Sequence, residues 1–240
     1  MKKACIVIPT YNESGNIKNL TEYISKMSKK VKNYEISILV VDDSSPDGTS
    51  NIVKKIKNKN VFLLTRKNKE GLGKAYISGF KYAIQNIQPD VLFQMDADFS
   101  HNPKEISKFL EQIDKGYNFI IGSRYIKGGK IINWDTKRKL ISKFGNLFGR
   151  TIAGLKVNDC TSGYRAIKTS LIKKLDLDNM NAKGFAFLME LIYLSQKEKA
   201  KIKEIPIIFV DRKYGKSKLR KKDILEFFIN CFRLRIKSFL

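Results

Sequence analysis

Short apolar runs alternate with helix-like patterns along the first half of the chain. The apolar runs predict strands at residues 4–8, 36–41, 61–64, 91–95 and 119–121. The segments between them predict helices at residues 15–29, 49–57, 72–87 and 103–115. Continuous apolar strands separated by helices are typical of a parallel sheet covered on both faces. The pattern therefore predicts an α/β fold with a mainly parallel, doubly wound central sheet.

The alternation weakens after residue 125. A basic amphipathic helix is predicted at residues 137–153, followed by a polar loop at 158–162 and a helix at 184–196. A strand at 202–209 and an apolar, basic helix at 223–240 complete the chain. We interpret residues 1–222 as one domain, in which the later elements cover a site on the sheet, and residues 223–240 as a C-terminal amphipathic helix.

The charge is strongly basic, with 47 Lys and Arg against 23 Asp and Glu and a net charge of +24. Such an excess either coats a solvated surface or serves an anionic partner. Nucleic acid, acidic lipid and phosphorylated substrates all remain open on this observation alone.

The cysteines and apolar runs limit the class of protein. The three cysteines are far apart and form no CxxC pair, which argues against a zinc site or a disulfide framework and favours a reducing compartment. The apolar run at residues 4–9 lacks a cleavage pattern, so we interpret it as the first strand rather than as a signal peptide. The sequence contains no run of eighteen apolar residues, so no membrane-spanning helix is predicted.

Polar motifs follow all five predicted strands. They are PTYNE at residues 9–13, DDSS at 42–45, Arg66 with EGLGKA at 70–75, DAD at 96–98 and GSR at 122–124. Ligands of open α/β sheets bind at the carboxyl ends of the strands. The five motifs together therefore predict a single site at this edge of the sheet.

Asp96 and Asp98 are one residue apart at the end of a predicted buried strand. On an extended segment both carboxylates point the same way, and they repel each other unless a positive group lies between them. Carboxylate oxygens suit Mg²⁺ or Mn²⁺, which take further ligands from water or a diphosphate. A helix-start role is less favoured, because Ser100, Asn102 and Pro103 already supply it.

Two other motifs favour ordinary interpretations. The segment GLGKAY at residues 71–76 lacks the third glycine of a dinucleotide fingerprint and the Ser or Thr of a phosphate loop, which favours a helix start. The single histidine, His101, has no serine or cysteine in a recognisable nucleophile motif, which argues against a hydrolase. An orienting or structural role is favoured for His101 over that of a general base.

Segments along nearly the whole chain resemble one known family. They are PTYNE at 9–13, VDDSSPDGT at 41–49, RKNKEGLGKA at 66–75, DADFSHNP at 96–103, GSRY at 122–125, TSGYRA at 161–166, GFAFLME at 184–190 and RKYGKSKL at 212–219. In this order they resemble the dolichyl-phosphate (polyprenyl-phosphate) mannose synthases of glycosyltransferase family 2. The resemblance implies a GT-A (Rossmann-like) fold, with the catalytic domain in residues 1–222.

The resemblance also implies roles for individual residues. The nucleotide-sugar would be held by Pro9, Tyr11, Glu13 and Asp43, with Asp42 in support. The divalent ion, Mg²⁺ or Mn²⁺, would be held by Asp96 and Asp98. The acceptor or donor phosphates would be met by Arg124, Arg138, Ser142, Arg212 and Lys218. The residues expected to act in catalysis are Asp98, Arg124 and Arg212. Some relatives have Gln where this chain has Ser100, which leaves a metal contact from Ser100 open.

The reaction implied by the resemblance is inverting transfer of mannose from GDP-mannose to a dolichyl or polyprenyl phosphate in the membrane. We therefore expect a cytoplasmic protein that associates peripherally with the cytoplasmic face of a membrane. A small accessory membrane subunit is left open, and no nucleic acid is expected. Two alternatives remain: a family 2 transferase that uses UDP-glucose or a similar donor, and a basic nucleic-acid-binding protein.

The C-terminal helix allows two interpretations. Its apolar residues recur at helical spacing and are flanked by basic ones: Ile224, Leu225, Phe228, Phe232 and Ile236, with Arg233, Arg235 and Lys237. A helix of this kind can lie in the membrane interface or dock on the protein core.

Overall fold

The computed structural model describes residues 1–180, 184–211 and 221–236, and nine strands lie within these ranges. The strands are β1 (Lys2–Thr10), β2 (Tyr34–Asp42), β3 (Val61–Thr65), β4 (Val91–Gln94), β5 (Phe119–Ser123), β6 (Lys130–Ile132), β7 (Arg165–Lys168), β8 (Ile202–Pro206) and β9 (Ile208–Val210). Seven of them form the main sheet in the order β3-β2-β1-β4-β7-β5-β8, and β6 pairs with β9.

The main sheet is parallel except at β7. This strand runs antiparallel to both of its neighbours, β4 and β5, while the other pairs in the sheet are parallel. The parallel strands β1, β2, β4 and β5 therefore end at the same edge of the sheet. The predicted mainly parallel α/β fold is confirmed, and β7 is an addition that the sequence pattern did not indicate.

Helices cover both faces of the sheet. They are α1 (Ile17–Ser28), α2 (Thr49–Lys54), α3 (Leu72–Tyr82), α4 (Ile106–Asp114), α5 (Thr136–Ile152), α6 (Thr169–Ile172), α7 (Gly184–Lys197) and α8 (Lys221–Ile236). A π-helical turn, Ala83–Ile87, follows α3, and a 3₁₀ turn, Pro103–Glu105, precedes α4. The Asn102 side chain accepts the Lys104 N–H at 3.0 Å and Pro103 occupies the first position, so the turn starts as the sequence indicates.

The alternation of side chains along β1 divides the core into two layers. Cys5 and Val7 face one layer, which includes residues from α3, α7 and α8. Ile6 and Ile8 face the other layer, which includes residues from α1 and α4. Period-two alternation on a strand that is buried on both faces explains why the sequence reads as a continuous apolar run.

The predicted strand at residues 202–209 is two strands. Ile207 separates β8 from β9, and each half joins a different sheet. The Ile207 N–H donates to the Ser123 carbonyl at 3.0 Å, while the Ile207 carbonyl accepts the Lys130 N–H at 3.0 Å. The chain thus crosses from the main sheet to the small one at a single residue, a tertiary event that an apolar run cannot reveal.

Helix α8 packs against α7 and α5. Phe227, Cys231 and Leu234 are buried in the same core layer as α7, whereas Phe232 and Ile236 are exposed. Phe228, another residue of the stripe described from the sequence, is partly buried against the same layer, so the docked side includes part of that stripe. Within the described residues, no helix combines the length and the apolar character needed to cross a membrane.

Candidate active site

Asp42, at the end of β2, holds the first two strand-end loops together. It is fully buried and accepts hydrogen bonds from the hydroxyls of Thr10 at 2.8 Å, Ser45 at 2.5 Å and Ser50 at 2.7 Å. The Ser45 N–H adds a fourth bond at 3.1 Å. Because these donors come from β1 and from the segment after β2, Asp42 fixes the two loops relative to each other. Its support of a nucleotide site stays a prediction.

The PTYNE loop is tied by its backbone to the segment after β2. The N–H groups of Asn12 and Glu13 donate to the side chains of Ser45 and Thr49, both at 3.0 Å. The Ser14 N–H donates to an Asp47 carboxylate oxygen at 2.9 Å. The Asp43 N–H donates to the Thr10 carbonyl at 3.1 Å, so Asp43 adjoins the same loop. A nucleotide contact from Pro9, Tyr11, Glu13 or Asp43 stays a prediction.

A basic loop after β3 adds to this region. The buried Arg66 guanidinium donates to Asp43 Oδ1 at 2.7 Å and also pairs with Glu70. Burial raises the pKa of Asp43, and Arg66 opposes that shift. The Lys69 ammonium lies 3.5 Å from the centroid of the Tyr11 ring, a cation–π distance. Arg66, which the strand-end motifs already assigned to the site, and Lys69 are thus neighbours of the predicted nucleotide residues, although the sequence gave neither an individual role.

Asp96 and Asp98 follow β4 in a tight loop. The Asp96 side chain is 38% exposed, while Asp98 is largely buried and accepts the Ser100 N–H at 3.1 Å. Phe99, between Asp98 and Ser100, lies in the left-handed region, with φ at 62°. This conformation is unfavourable for a bulky residue, so the loop is held by its surroundings.

Gly163 lies beside the Asp96 carboxylate and places no side chain against it. A Cβ at this glycine would lie 3.4 Å from Asp96 Oδ1 and 3.7 Å from Oδ2, and we call the space that it would fill the Gly163 gap. The Ser100 hydroxyl is buried nearby in the loop and has no hydrogen-bond partner among the described residues.

These residues fit a hard divalent ion. Two carboxylates and an unsatisfied hydroxyl supply oxygen donors, which Mg²⁺ and Mn²⁺ prefer. In the part of the chain that the structure describes, no group of three His, Cys, Asp or Glu residues is arranged to hold a metal. Such ions commonly take further ligands from water or from a substrate diphosphate.

Arg124 lies in an internal ion pair. Its Nε and Nη2 donate to the two oxygens of the fully buried Asp159, both at 2.7 Å, and Nη2 also donates to Thr161 Oγ1 at 2.8 Å. The expected contact of Arg124 with a phosphate stays a prediction. What the structure shows is that Arg124 joins the end of β5 to the loop at residues 158–162.

Arg138 and Ser142 lie one turn apart on α5. The Arg138 guanidinium donates to Asp211 Oδ2 at 2.8 Å and stacks over the Trp134 ring at 4.0 Å. Ser142 Oγ accepts the Tyr125 hydroxyl at 2.7 Å. Their i, i+4 spacing places both on one face of the helix, and their contact with a phosphate stays a prediction. Arg212 and Lys218, the other predicted phosphate contacts, lie outside the described residues.

Phe209 on β9 links the two halves of the site. Its ring centroid lies 5.7 Å from that of His101, 5.5 Å from that of Trp134 and 5.5 Å from the central guanidinium carbon of Arg124. The loop with the aspartates and the region of Arg138 therefore adjoin the same aromatic residue.

Sequence reasoning assigned no role to Phe209, Trp134, Asp159 or Gly163. Asp159 lies two residues before the TSGYRA motif and Gly163 lies within it. The polar loop between apolar segments was therefore a signal that could have drawn attention to both residues. Phe209 and Trp134 carried none, because isolated aromatic residues are typical of any core.

Comparisons with known proteins agree on one family. The family model described as "Glycosyl transferase family 2" matches residues 5–176. Undecaprenyl-phosphate mannosyltransferase of Micrococcus luteus is 38% identical over 95% of this chain and 91% of its own length. Polyprenol monophosphomannose synthase of Mycolicibacterium smegmatis is 36% identical, covering 94% and 84%. Dolichol-phosphate mannosyltransferase of Pyrococcus furiosus is 39% identical over 97% of this chain and 63% of its own length.

Solved structures share the fold at low sequence identity. Glucosyl-3-phosphoglycerate synthase of Mycobacterium tuberculosis, in a complex with Mn²⁺, UDP-glucose and phosphoglyceric acid, superposes with a TM-score of 0.68. The identity is 16%, and the match covers 96% of this chain and 80% of the other. The chain thus belongs to glycosyl transferase family 2 and is a glycosyltransferase with a GT-A, Rossmann-like fold.

Proposed function

We propose that this glycosyltransferase moves mannose from GDP-mannose to the phosphate of a dolichol or another polyprenol, with inversion at the anomeric carbon. Relatives at 36–39% identity whose names specify mannose transfer to polyprenyl or dolichyl phosphate support the sugar and the acceptor. The structural observation that carries the proposal is the Asp96–Asp98 loop, which opens at the Gly163 gap and adjoins Arg138 through Phe209 and Trp134.

The donor would bind across the ends of β1, β2 and β4. Pro9, Tyr11, Glu13 and Asp43 would hold the nucleotide, with Asp42 fixing their loops. Asp96 and Asp98 would hold Mg²⁺ or Mn²⁺ against the diphosphate, and Mn²⁺ with a sugar nucleotide in the structural neighbour supports a divalent ion. The roles of Arg212 and Lys218 at the phosphates remain predictions.

The proposed reaction needs no strong general acid or general base. A bound divalent ion would stabilise the negative charge that develops on the departing GDP. The acceptor phosphate is already ionised near neutral pH, so its oxygen can attack the anomeric carbon while the bond to GDP breaks and GDP keeps the electron pair. Arg138 and Ser142 would hold that phosphate by charge-assisted and hydroxyl hydrogen bonds. Positioning and electrostatics would therefore supply most of the acceleration.

A lipid acceptor also fits the surface formed by α5 and α8. Both helices carry large apolar side chains that are 53–63% exposed, and we call them the α5–α8 face: Leu140, Ile141, Phe144, Leu147, Ile229, Phe232 and Ile236. Phe148 joins the two helices, because its ring lies 6.2 Å from Phe144 and 5.8 Å from Phe232.

Exposed basic residues accompany this face. They are Lys139, Lys143, Arg150, Arg233 and Arg235. An apolar surface bordered by cations is typical of a helix that lies in the interface of an acidic membrane. Peripheral membrane association is therefore part of the proposal, and Ser142 on α5 would lie close to the lipid.

The donor is the part of the proposal that most needs a test. UDP-glucose in the structural neighbour keeps a UDP-sugar as the second candidate. Calorimetric titration of the protein with GDP and with UDP, each in the presence of Mn²⁺, separates the two. We expect GDP to bind at least about tenfold more tightly than UDP, a difference of about 1.4 kcal/mol. Tighter binding of UDP would reject GDP-mannose and retain only the family assignment.

A further inference from the structure

His101 closes the loop that carries the two aspartates. The Asp96 N–H donates to His101 Nδ1 at 3.1 Å, which joins the first residue of the loop to a side chain five positions later. Between them Phe99 adopts a positive φ of 62°. A non-glycine residue with this unfavourable backbone conformation persists only where its surroundings hold it. The hydrogen bond from Asp96 to His101 is one such constraint.

Packing fixes the orientation of the His101 ring. The imidazole is 2% exposed and stacks on the Tyr164 ring, with centroids 4.9 Å apart and planes 16° apart. The Phe209 ring on β9 packs against the imidazole in a T-shaped arrangement. The Tyr164 hydroxyl in turn donates to the Asn102 carbonyl at 3.0 Å, directly after His101 in the chain. The ring therefore cannot rotate without disturbing three neighbours.

The hydrogen bond also defines which nitrogen carries the proton. Nδ1 accepts the Asp96 N–H, so it must be unprotonated and the neutral ring carries its hydrogen on Nε2. Nε2 lies 3.9 Å from Asp96 Oδ2, which is beyond hydrogen-bond distance. With Nδ1 engaged, the ring is unsuited to accept a proton from a substrate.

We propose that His101 is a positioning residue for Asp96: by accepting the Asp96 N–H, it sets the direction in which the Asp96 carboxylate meets a ligand in the Gly163 gap. The inference rests on the proposed function, in which that ligand is a divalent ion bound with a nucleoside diphosphate. The competing explanation is that the ring only fills space between Tyr164 and Phe209. Groups behind a metal ligand that fix its orientation commonly change metal affinity by about 10–100-fold when they are removed.

Three variants separate the acceptor from the ring. His101→Phe keeps a stacked ring but removes the acceptor, whereas His101→Asn keeps an acceptor near the position of Nδ1 and removes the ring. His101→Gln matches Asn in polarity but carries the amide one carbon farther from the backbone. Each variant is checked for folding by circular dichroism and thermal unfolding, and the Gln and Asn pair remains informative if the Phe variant fails to fold.

The measurement is Mn²⁺ binding by electron paramagnetic resonance at saturating GDP, with GDP binding measured separately in the absence of metal. We expect His101→Phe and His101→Gln to weaken Mn²⁺ binding at least about tenfold, while His101→Asn stays within about threefold of the wild type. Metal-free GDP binding should change by less than about threefold in all three, because the nucleotide contacts lie on other loops.

Two results would overturn the inference while leaving the proposed function intact. One is Mn²⁺ binding by folded His101→Phe, or by His101→Gln if Phe does not fold, within threefold of the wild type. The other is an equal loss in Asn and Gln, since the position of the acceptor would then not matter. A wild-type protein that binds no Mn²⁺ with GDP would reject both the proposed function and this inference.

Discussion

Gly163 is the residue whose missing side chain shapes the site most directly. A Cβ there would contact Asp96 Oδ1 at 3.4 Å and His101 Cε1 at 3.5 Å, which are ordinary van der Waals distances. An alanine would therefore fit without strain, but it would cover the carboxylate oxygens. Gly163 has no positive φ that would require a glycine, so we expect it to serve access to Asp96 rather than backbone freedom.

The variant Gly163→Ala should separate stability from binding. We expect its free energy of unfolding to stay within about 1 kcal/mol of the wild type, while Mn²⁺ binding with GDP weakens about tenfold. Calorimetry and denaturant unfolding measure the two quantities. Gly145→Ala on α5 is the control, since its Cβ would meet only ordinary contacts with Phe227 at 3.9 Å. Unchanged Mn²⁺ binding in Gly163→Ala would refute the role of the gap.

Arg138 allows a test of the acceptor side. Its guanidinium already pairs with Asp211 and stacks on Trp134, so it is oriented before any ligand binds. We expect Arg138→Ala to raise the KM for the polyprenyl phosphate while GDP-mannose binding stays within about threefold, a cost under roughly 1 kcal/mol. Steady-state kinetics and calorimetry measure the two effects. Loss of donor binding with an unchanged lipid KM would move Arg138 to the donor side.

At the scale of elements, the pair of Arg124 and Asp159 joins β5 to the loop before β7. Both side chains are buried, at 7% and 0% exposure. Removing one partner of such a pair leaves a charge without compensation in the interior. We expect Asp159→Asn to lower the free energy of unfolding by about 3–5 kcal/mol, as measured by urea denaturation.

The exposed pair of Lys81 and Asp178 supplies the matched control, because its side chains are 44% and 77% exposed. We expect Asp178→Asn to cost less than about 1 kcal/mol. Equal losses in the two variants would show that the interior pair contributes no more than a surface contact, and that Arg124 is held by other means.

The elements that the sequence predicted well are those that local physics determines. Apolar runs gave β1 to β5, and Asn102 with Pro103 marked the start of the turn before α4. The short strand β7 and the break at Ile207 depend on which distant segments pair, and local pattern carries no such information. For the same reason the motifs located Asp96 and Asp98, but not the partnership of Arg124 with Asp159 or the contacts of Phe209.

At the scale of the whole molecule, some of the basic residues behind the net charge of +24 can be assigned to a particular surface. Five exposed basic side chains lie on α5 and α8, the helices that carry the α5–α8 face, and in the proposed membrane contact they would meet acidic lipid. Removal of residues 223–240 would be a poor test of this idea, since Phe227, Cys231 and Leu234 of α8 are buried in the core. Substitutions of exposed residues on α5 and α8 test the same idea without removing buried core residues.

The double variant Phe144→Ser/Phe232→Ser should bind vesicles of phosphatidylcholine and phosphatidylglycerol at least about fivefold more weakly than the wild type, because apolar burial and charge act together. Flotation assays at low and high salt measure it, and salt should weaken the wild type as well. Ile208→Ser is the control, since Ile208 is exposed on β9 outside the α5–α8 face. Undiminished binding by the folded double variant would exclude this face as the membrane contact.

The most direct test of the account is sugar transfer itself. Purified protein is incubated with labelled GDP-mannose or UDP-glucose, a short polyprenyl phosphate and Mn²⁺, and the labelled lipid product is quantified with and without EDTA. We expect labelled product from GDP-mannose but not from UDP-glucose, and no product in EDTA. The Asp98→Asn variant should turn over at least about a hundredfold more slowly, a loss on the order of 3 kcal/mol of transition-state stabilisation. Transfer from UDP-glucose but not GDP-mannose, or full activity in EDTA, would contradict it.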